Sequence, residues 1–126
     1  MRILVTGSRD WTDGGVIATA LSDAVNSDFF GSHLLIYGCA RGADTIAFEI
    51  ADAWDWEAEA HVANWEEYGR RAGPIRNSGM IEHGNPDICL AFPLPGSKGT
   101  WDMIRKANAA GIEVRIIPPT PDVPPL

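Results

Sequence analysis

The stretch PDICLAFPLPGSKGTWDMIRKANAAGIEV, residues 86–114, decides the fold. The apolar run Ile88–Phe92 enters a loop of prolines and glycines. A segment follows whose apolar residues fall at Met103, Ile104, Ala107 and Ala110. That spacing is helical, Gly111 is placed to cap the helix C-terminus, and Val114–Ile117 is a second apolar run. Strand, helix and strand in succession make a crossover unit, the connection that joins parallel strands.

The rest of the chain repeats this alternation. Ile3–Val5 and Leu34–Tyr37 read as strands, with a weaker one at Glu59–Val62. Between them, Ile17, Leu21, Ala24 and Val25 mark one helix, and Ile46, Ala47, Ile50, Ala51 and Trp54 a second. Ile75, Met80 and Ile81 mark a weaker third. The second, fourth and fifth strand candidates are continuously apolar, as strands covered on both faces are. The expectation is an α/β fold, a three-layer sandwich around a parallel sheet of about five strands in the order 3-2-1-4-5. Residues 1–117 form one domain in this reading. Residues 118–126, PPTPDVPPL, form a tail with five of the nine prolines, which cannot continue a helix or a central strand.

Composition narrows the partners. The 126 residues carry a formal net charge of −7, which disfavours a broad nucleic-acid-binding face. Only a gathering of Arg9, Arg41, Arg70, Arg71 and Arg76 on one face would reverse that. No stretch has the length of a membrane span, and MRILV reads as a strand rather than a signal peptide, so a cytoplasmic location is expected. Cys39 and Cys89 lack metal-ligand spacing, and nothing forces a disulfide. His33, His61 and His83 share no ligand pattern, so no metal and no cofactor is expected. Asp10, Asp44 and Asp102 would have to meet in the fold to hold an ion, and their spacing does not call for it. Trp54, Trp56, Trp65 and Trp101 are more aromatic surface than a thin sheet's edges hide; they lead to the expectation of a homo-oligomer, at least a dimer. They would alternatively cover the sheet edge or stack on a base.

Three glycine-bearing loops follow strands: TGSRD at 6–10, GCARGAD at 38–44 and PLPGSKGT at 93–100. In an open parallel sheet the ligand crevice lies at the carboxyl ends of the strands, where strand order reverses. Gly7, Gly38, Gly42, Gly96 and Gly99 let backbone N–H groups approach an anion. Ser8 and Ser97 offer hydroxyls, Arg9 and Arg41 bidentate charge, Lys98 a flexible one, and Pro95 bends the loop. Gly99 and Thr100 lead into the last helix, whose N-terminus favours an anion; Thr100 is placed for the cap or for a phosphate oxygen. Asp44 reads first as a helix cap and second as a partner for a ribose hydroxyl or for Arg41. Asp10 is a partner for Arg9 or a ligand hydroxyl. In AGPIRNSGM, residues 72–80, Asn77 has little reason to sit in a helix unless its side chain bonds something. Arg76 is the first choice for a catalytic or substrate-orienting group.

TGSRDW, GCARGAD, NWEEYGRRAGPIRNSGM, PDICLAFP, PGSKGTWDM and KANAAGIEV, in this order, resemble the SLOG superfamily, and within it the small YspA-like branch frequent in bacteria and phages. The resemblance covers Arg2–Ile117 and implies a Rossmann-like fold. The superfamily includes DNA-processing proteins and the LOG enzymes, which release a base from a nucleoside 5′-monophosphate using a PGGxGTxxE loop and an RKxxM segment. It implies that Pro95, Gly96, Gly99 and Thr100 hold a phosphate, and that Arg76 and Met80 match the arginine segment. The pattern departs at three places: Ser97 replaces a glycine, Asn77 a lysine, and Met103 the glutamate. A thioether can neither take a proton nor stabilise an oxocarbenium ion, and only Asp102 lies near enough to substitute. The leading expectation is therefore a domain that binds a nucleotide or nucleotide-derived signal. The alternatives are hydrolysis of the N-glycosidic bond of a nucleoside monophosphate and a DNA-associated role.

Overall fold

The computed structural model describes residues 1–28 and 31–119. Five strands, β1 Arg2–Gly7, β2 Leu34–Tyr37, β3 Glu57–Ala60, β4 Ile88–Phe92 and β5 Glu113–Ile116, form one sheet in the order β3-β2-β1-β4-β5. Every neighbouring pair is parallel. The connections carry α1 Gly14–Val25, α2 Ala43–Ala53, α3 Trp65–Tyr68, α4 Ala72–Glu82 and α5 Lys98–Ala109. This is the expected Rossmann-like order, 3-2-1-4-5.

The continuous apolar strands are explained by the two cores they serve. Ile3 and Val5 of β1, with Ile88, Leu90 and Phe92 of β4, pack against α1 and α2 through Ile17, Leu21, Ala47 and Ala51. Leu4 and Cys89, from the same strands, point the other way and join Met80 of α4 with Met103 and Ala107 of α5. Alternate residues of one strand thus enter opposite layers, so Ile3–Val5 and Ile88–Phe92 are apolar without a break. Burial of Cys89 pushes its thiol up to about 12, so this cysteine is an inert core residue.

The edge strands lie away from their expected positions. β3 covers Glu57–Ala60 rather than Glu59–Val62, because Leu34 to Tyr37 pair with Glu57 to Ala60, and Val62 lies beyond, exposed. β5 begins one residue early, at Glu113. Its ladder still reaches Ile117, whose N–H donates to the Ala91 carbonyl at 2.8 Å. Neither edge is buried on both faces, so hydrophobic pattern could not fix its register. α5 ends as its glycine predicts: Gly111 has φ +76°, and Gly111 and Ile112 donate back to Asn108 and Ala107 in a Schellman arrangement.

The tryptophans divide between core and surface. Trp54 and Trp56 are half-buried against the α1–α2 core with ring centroids 5.4 Å apart, and Trp56 also meets the His33 ring. These two cover the domain's own sheet edge, so they supply no argument for self-association. Trp65 and Trp101 remain exposed. Of the proline-rich tail, Pro118 and Pro119 have no regular structure, and residues 120–126 lie outside those described. Among the described residues no helix is long and apolar enough to cross a membrane.

Candidate functional site

Strand order reverses between β1 and β4, and the loops leaving their carboxyl ends diverge there. The β2 loop and the first turn of α4 complete a cleft of about 610 Å³. Gly7, Ser8, Arg9, Arg41, Asp44, Arg76, Asn77, Pro95, Gly96, Ser97, Lys98, Gly99, Thr100 and Asp102 all line it. Gly38 and Gly42 do not.

Those two glycines act behind the wall. At Gly38 a Cβ would stand 2.5 Å from the Arg76 guanidinium, whose Nη1 donates to the Gly38 carbonyl at 2.7 Å. Gly42 has φ +78°, and a Cβ there would overlap the Ser8 carbonyl and the Arg9 backbone. The β1 and β2 loops are therefore clasped together, with the Ala43 N–H donating to Ser8 O at 3.1 Å. Ser8 spends its hydroxyl on the same turn, accepting from Asp10 N at 3.0 Å. Asp10 pairs with Arg41 at 3.6 Å rather than with Arg9. Arg9 instead lies over the Trp65 ring, 5.6 Å from its centroid.

Asp44 is not the cap of α2. Gly42 holds the N-cap position without a side-chain bond, and Asp44 reaches back to accept from Gly38 N at 3.1 Å and Ala40 N at 3.3 Å. It is 5% exposed, and burial raises its carboxyl to about 6. The Ala40 and Gly38 N–H groups and the charges of Arg76 and Arg9 oppose that rise. Burial likewise lowers the pKa of the Arg76 guanidinium, against the pull of Asp44.

Asn77 is the centre of the α4 side. Its Oδ1 accepts from Arg76 Nε at 3.0 Å, while its Nδ2 donates to Asp102 Oδ2 at 3.0 Å and to the Gly99 carbonyl at 3.2 Å. One buried amide thus fixes the arginine, the carboxylate and the first turn of α5 relative to each other. Asp102 is further held by Lys106 Nζ at 2.9 Å, with Arg105 at 3.9 Å.

α5 starts two residues before Thr100, with Ser97 as N-cap. Ser97 Oγ is occupied by Leu94 N at 2.9 Å, and Thr100 is a buried third-position residue, not the cap. Gly99 and Thr100 therefore carry amides that the helix leaves unpaired, whereas the Lys98 N–H donates to the Gly96 carbonyl at 2.9 Å. Gly96 has φ +83°, and a Cβ at Gly96 or Gly99 would meet nothing within 4 Å, so the loop's outer side is open. Met103, where the glutamate of the resemblance would stand, is wholly buried in the core.

The family model described as YAcAr, the YspA, cpYpsA-related SLOG family, matches residues 1–68. A curated relative, "Gene 61 protein" of Mycobacterium phage D29, is 42% identical over 122 residues, spanning 90% of this chain and 93% of that protein. The chain belongs to the YspA, cpYpsA-related SLOG family. Among solved structures, DNA processing protein A (DprA) from Streptococcus pneumoniae superposes with a TM-score of 0.73 at 18% identity. That match covers 94% of this chain and 50% of the other; it shows a shared fold, and the chain spans about half the length of that structure.

This SLOG domain also brings to the cleft Arg105, which the sequence did not single out, with Trp65 and Arg70, which it offered only within the tryptophan and arginine groups. Trp65, Arg70 and Arg105 line it beside Asp10. Trp65 and Arg70 precede α4 in a segment with almost no apolar periodicity, so the sequence could not place them at the site. Six of the ten Lys and Arg line the cleft, but only three of the seventeen Asp and Glu. The cleft is thus formally three charges positive on a chain of net charge −7. Asp10, Asp44 and Asp102 share this wall, yet the described residues contain no group of carboxylates, histidines or cysteines suited to a metal ion.

Proposed function

We propose that the cleft binds a phosphorylated nucleotide, with a phosphate on the first turn of α5 and Arg76 orienting it, and with N-glycosidic hydrolysis slow or absent. The convergence of cations on open helix-terminal amides in an otherwise acidic protein carries this reading. Hydrolysis is disfavoured because Met103 is in the core and Asp102 already serves Asn77 and Lys106. The test is titration of the purified chain with a panel of nucleoside monophosphates, with released base measured in parallel. Arg76→Ala should weaken binding about 10- to 150-fold, the loss of one charge-assisted contact. Gly99→Val, which fills the open side of the loop, should weaken it more than Lys98→Ala. Rapid base release abolished by Asp102→Asn would instead establish a hydrolase. Absence of binding by every nucleotide would reject the phosphate site.

One observation favours a second reading. Arg9, Arg41, Arg70 and Arg76, four of the five arginines whose gathering would admit nucleic acid, line one cleft. A single strand inserted there would bind with an affinity falling steeply with salt. Short oligodeoxynucleotides competing with mononucleotides, at affinities above theirs, would select this reading.

A further inference from the structure

We infer, building on the proposed phosphate site, that Trp65 is a base-stacking platform and that the ligand is a base joined to two or more phosphates rather than a monophosphate. Trp65 is 50% exposed on α3, a helix of four residues that buries none of them. Its position is nevertheless fixed. Asn64 caps α3 by accepting from Glu67 N at 3.1 Å, and the Asn64 amide donates to the Glu67 carboxylate at 3.1 Å. The indole rests beside Gly73 in the first turn of α4, where a Cβ would come 3.5 Å from the ring. The guanidinium of Arg9 lies over the ring, a planar cation that a base would displace from this face toward the second phosphate. A large aromatic surface held in place at a cleft rim, and not used by the core, suits a flat heterocycle.

The charges set the phosphate count. The α5 amides, Lys98 and Arg76 suffice for one phosphate dianion. On the β1–β2 side stand Arg9 and Arg41, and Arg70 precedes α4. Arg41 is held only by a 3.6 Å contact to Asp10 between largely exposed side chains. Arg9 and Arg70 have no ion pair among the described residues. A monophosphate on α5 leaves these three cations facing the cleft, and a second phosphate between α5 and the base would engage them. The unit recognised is a nucleoside diphosphate, free or within a triphosphate or dinucleotide.

The test compares adenosine, guanosine, cytidine and uridine mono- and diphosphates with inorganic pyrophosphate, by calorimetry at fixed ionic strength. The best diphosphate should bind at least about tenfold more tightly than its own monophosphate. Trp65→Ala should lose about tenfold for that diphosphate. Trp65→Phe should retain most of the affinity, and pyrophosphate should bind all three proteins equally. Equal affinity for mono- and diphosphate, or a Trp65→Ala variant with wild-type affinity for the diphosphate, overturns this inference and leaves the α5 phosphate site standing. If neither pyrophosphate nor any nucleotide binds, the phosphate site itself is wrong, and this inference falls with it.

Discussion

Gly42→Val is expected to destabilise the fold by about 3–5 kcal/mol, the largest effect of any single change in the β1 and β2 loops. Two costs combine there. The backbone at φ +78° disfavours any L side chain, and the new Cβ would overlap the Ser8 carbonyl and the Arg9 backbone, which have no room to retreat. Ser8 is itself anchored to β4 through its N–H to Phe92 O at 3.0 Å, so relief of the overlap would pull the β1 loop away from the end of β4. Gly96→Ala separates the two costs. Its φ of +83° carries the same conformational penalty, but nothing lies within 4 Å of a Cβ, and a loss of only about 1 kcal/mol is expected. Urea unfolding midpoints measure both. A Gly42→Val protein within about 1 kcal/mol of wild type would mean that the two loops are not clasped as described.

Asp44 should make the stability of the wild type depend on pH in an unusual direction. Its carboxyl rises from the ordinary 3.8 to about 6 on folding, because burial disfavours the anion. The folded state therefore holds a proton that the unfolded state has released, and stability falls as pH rises from about 4 to about 6. The full penalty above that window is about 2–3 kcal/mol. Asp44→Asn keeps an oxygen for the Gly38 and Ala40 N–H groups and removes the ionisation. The variant should match wild type near pH 4 and exceed it by that margin at pH 7.5. Taking the difference between the two proteins cancels the titrating groups remote from Asp44, including Glu59 of β3. A difference that stays flat across the window would show that Asp44 ionises as an ordinary aspartate. A difference of opposite sign would show that its tie to Arg76 outweighs its burial.

The sheet is legible in the sequence because its central strands serve two cores at once, which makes Ile3–Val5 and Ile88–Phe92 unbroken apolar runs. Ile88–Phe92 can be read to the residue for that reason, whereas the EAEA of β3 exposes both its alanines, gives no buried apolar face to read, and lies two residues earlier than expected. The early start of α5 is hidden because Lys98-Gly99 is a poor helix opening by propensity; Ser97 as N-cap and burial of Met103 and Ile104 set it instead. In the cleft, Arg76 and Asn77 can be selected because an asparagine within a helix needs a partner. Which partners it takes, Gly99 and Asp102 across more than twenty residues of chain, is a tertiary fact. Asp44 shows the reverse error. Its position in the first turn of a helix suffices for a cap, and only the backward fold of the 38–42 loop turns its carboxylate to other work.

The uneven placement of charge bears on how the proposed ligand would arrive. With the cleft formally three charges positive, the remainder of the chain carries ten net negative charges. On the proposed reading, a small anion would be repelled by the remainder of the chain and drawn to this cleft. Raising ionic strength should then slow association while leaving the dissociation rate nearly unchanged, because contacts inside the cleft are screened far less than the approach outside it. Length would matter for the same reason: a long polyanion would bring charge near the acidic remainder of the chain, whereas a compact one need not.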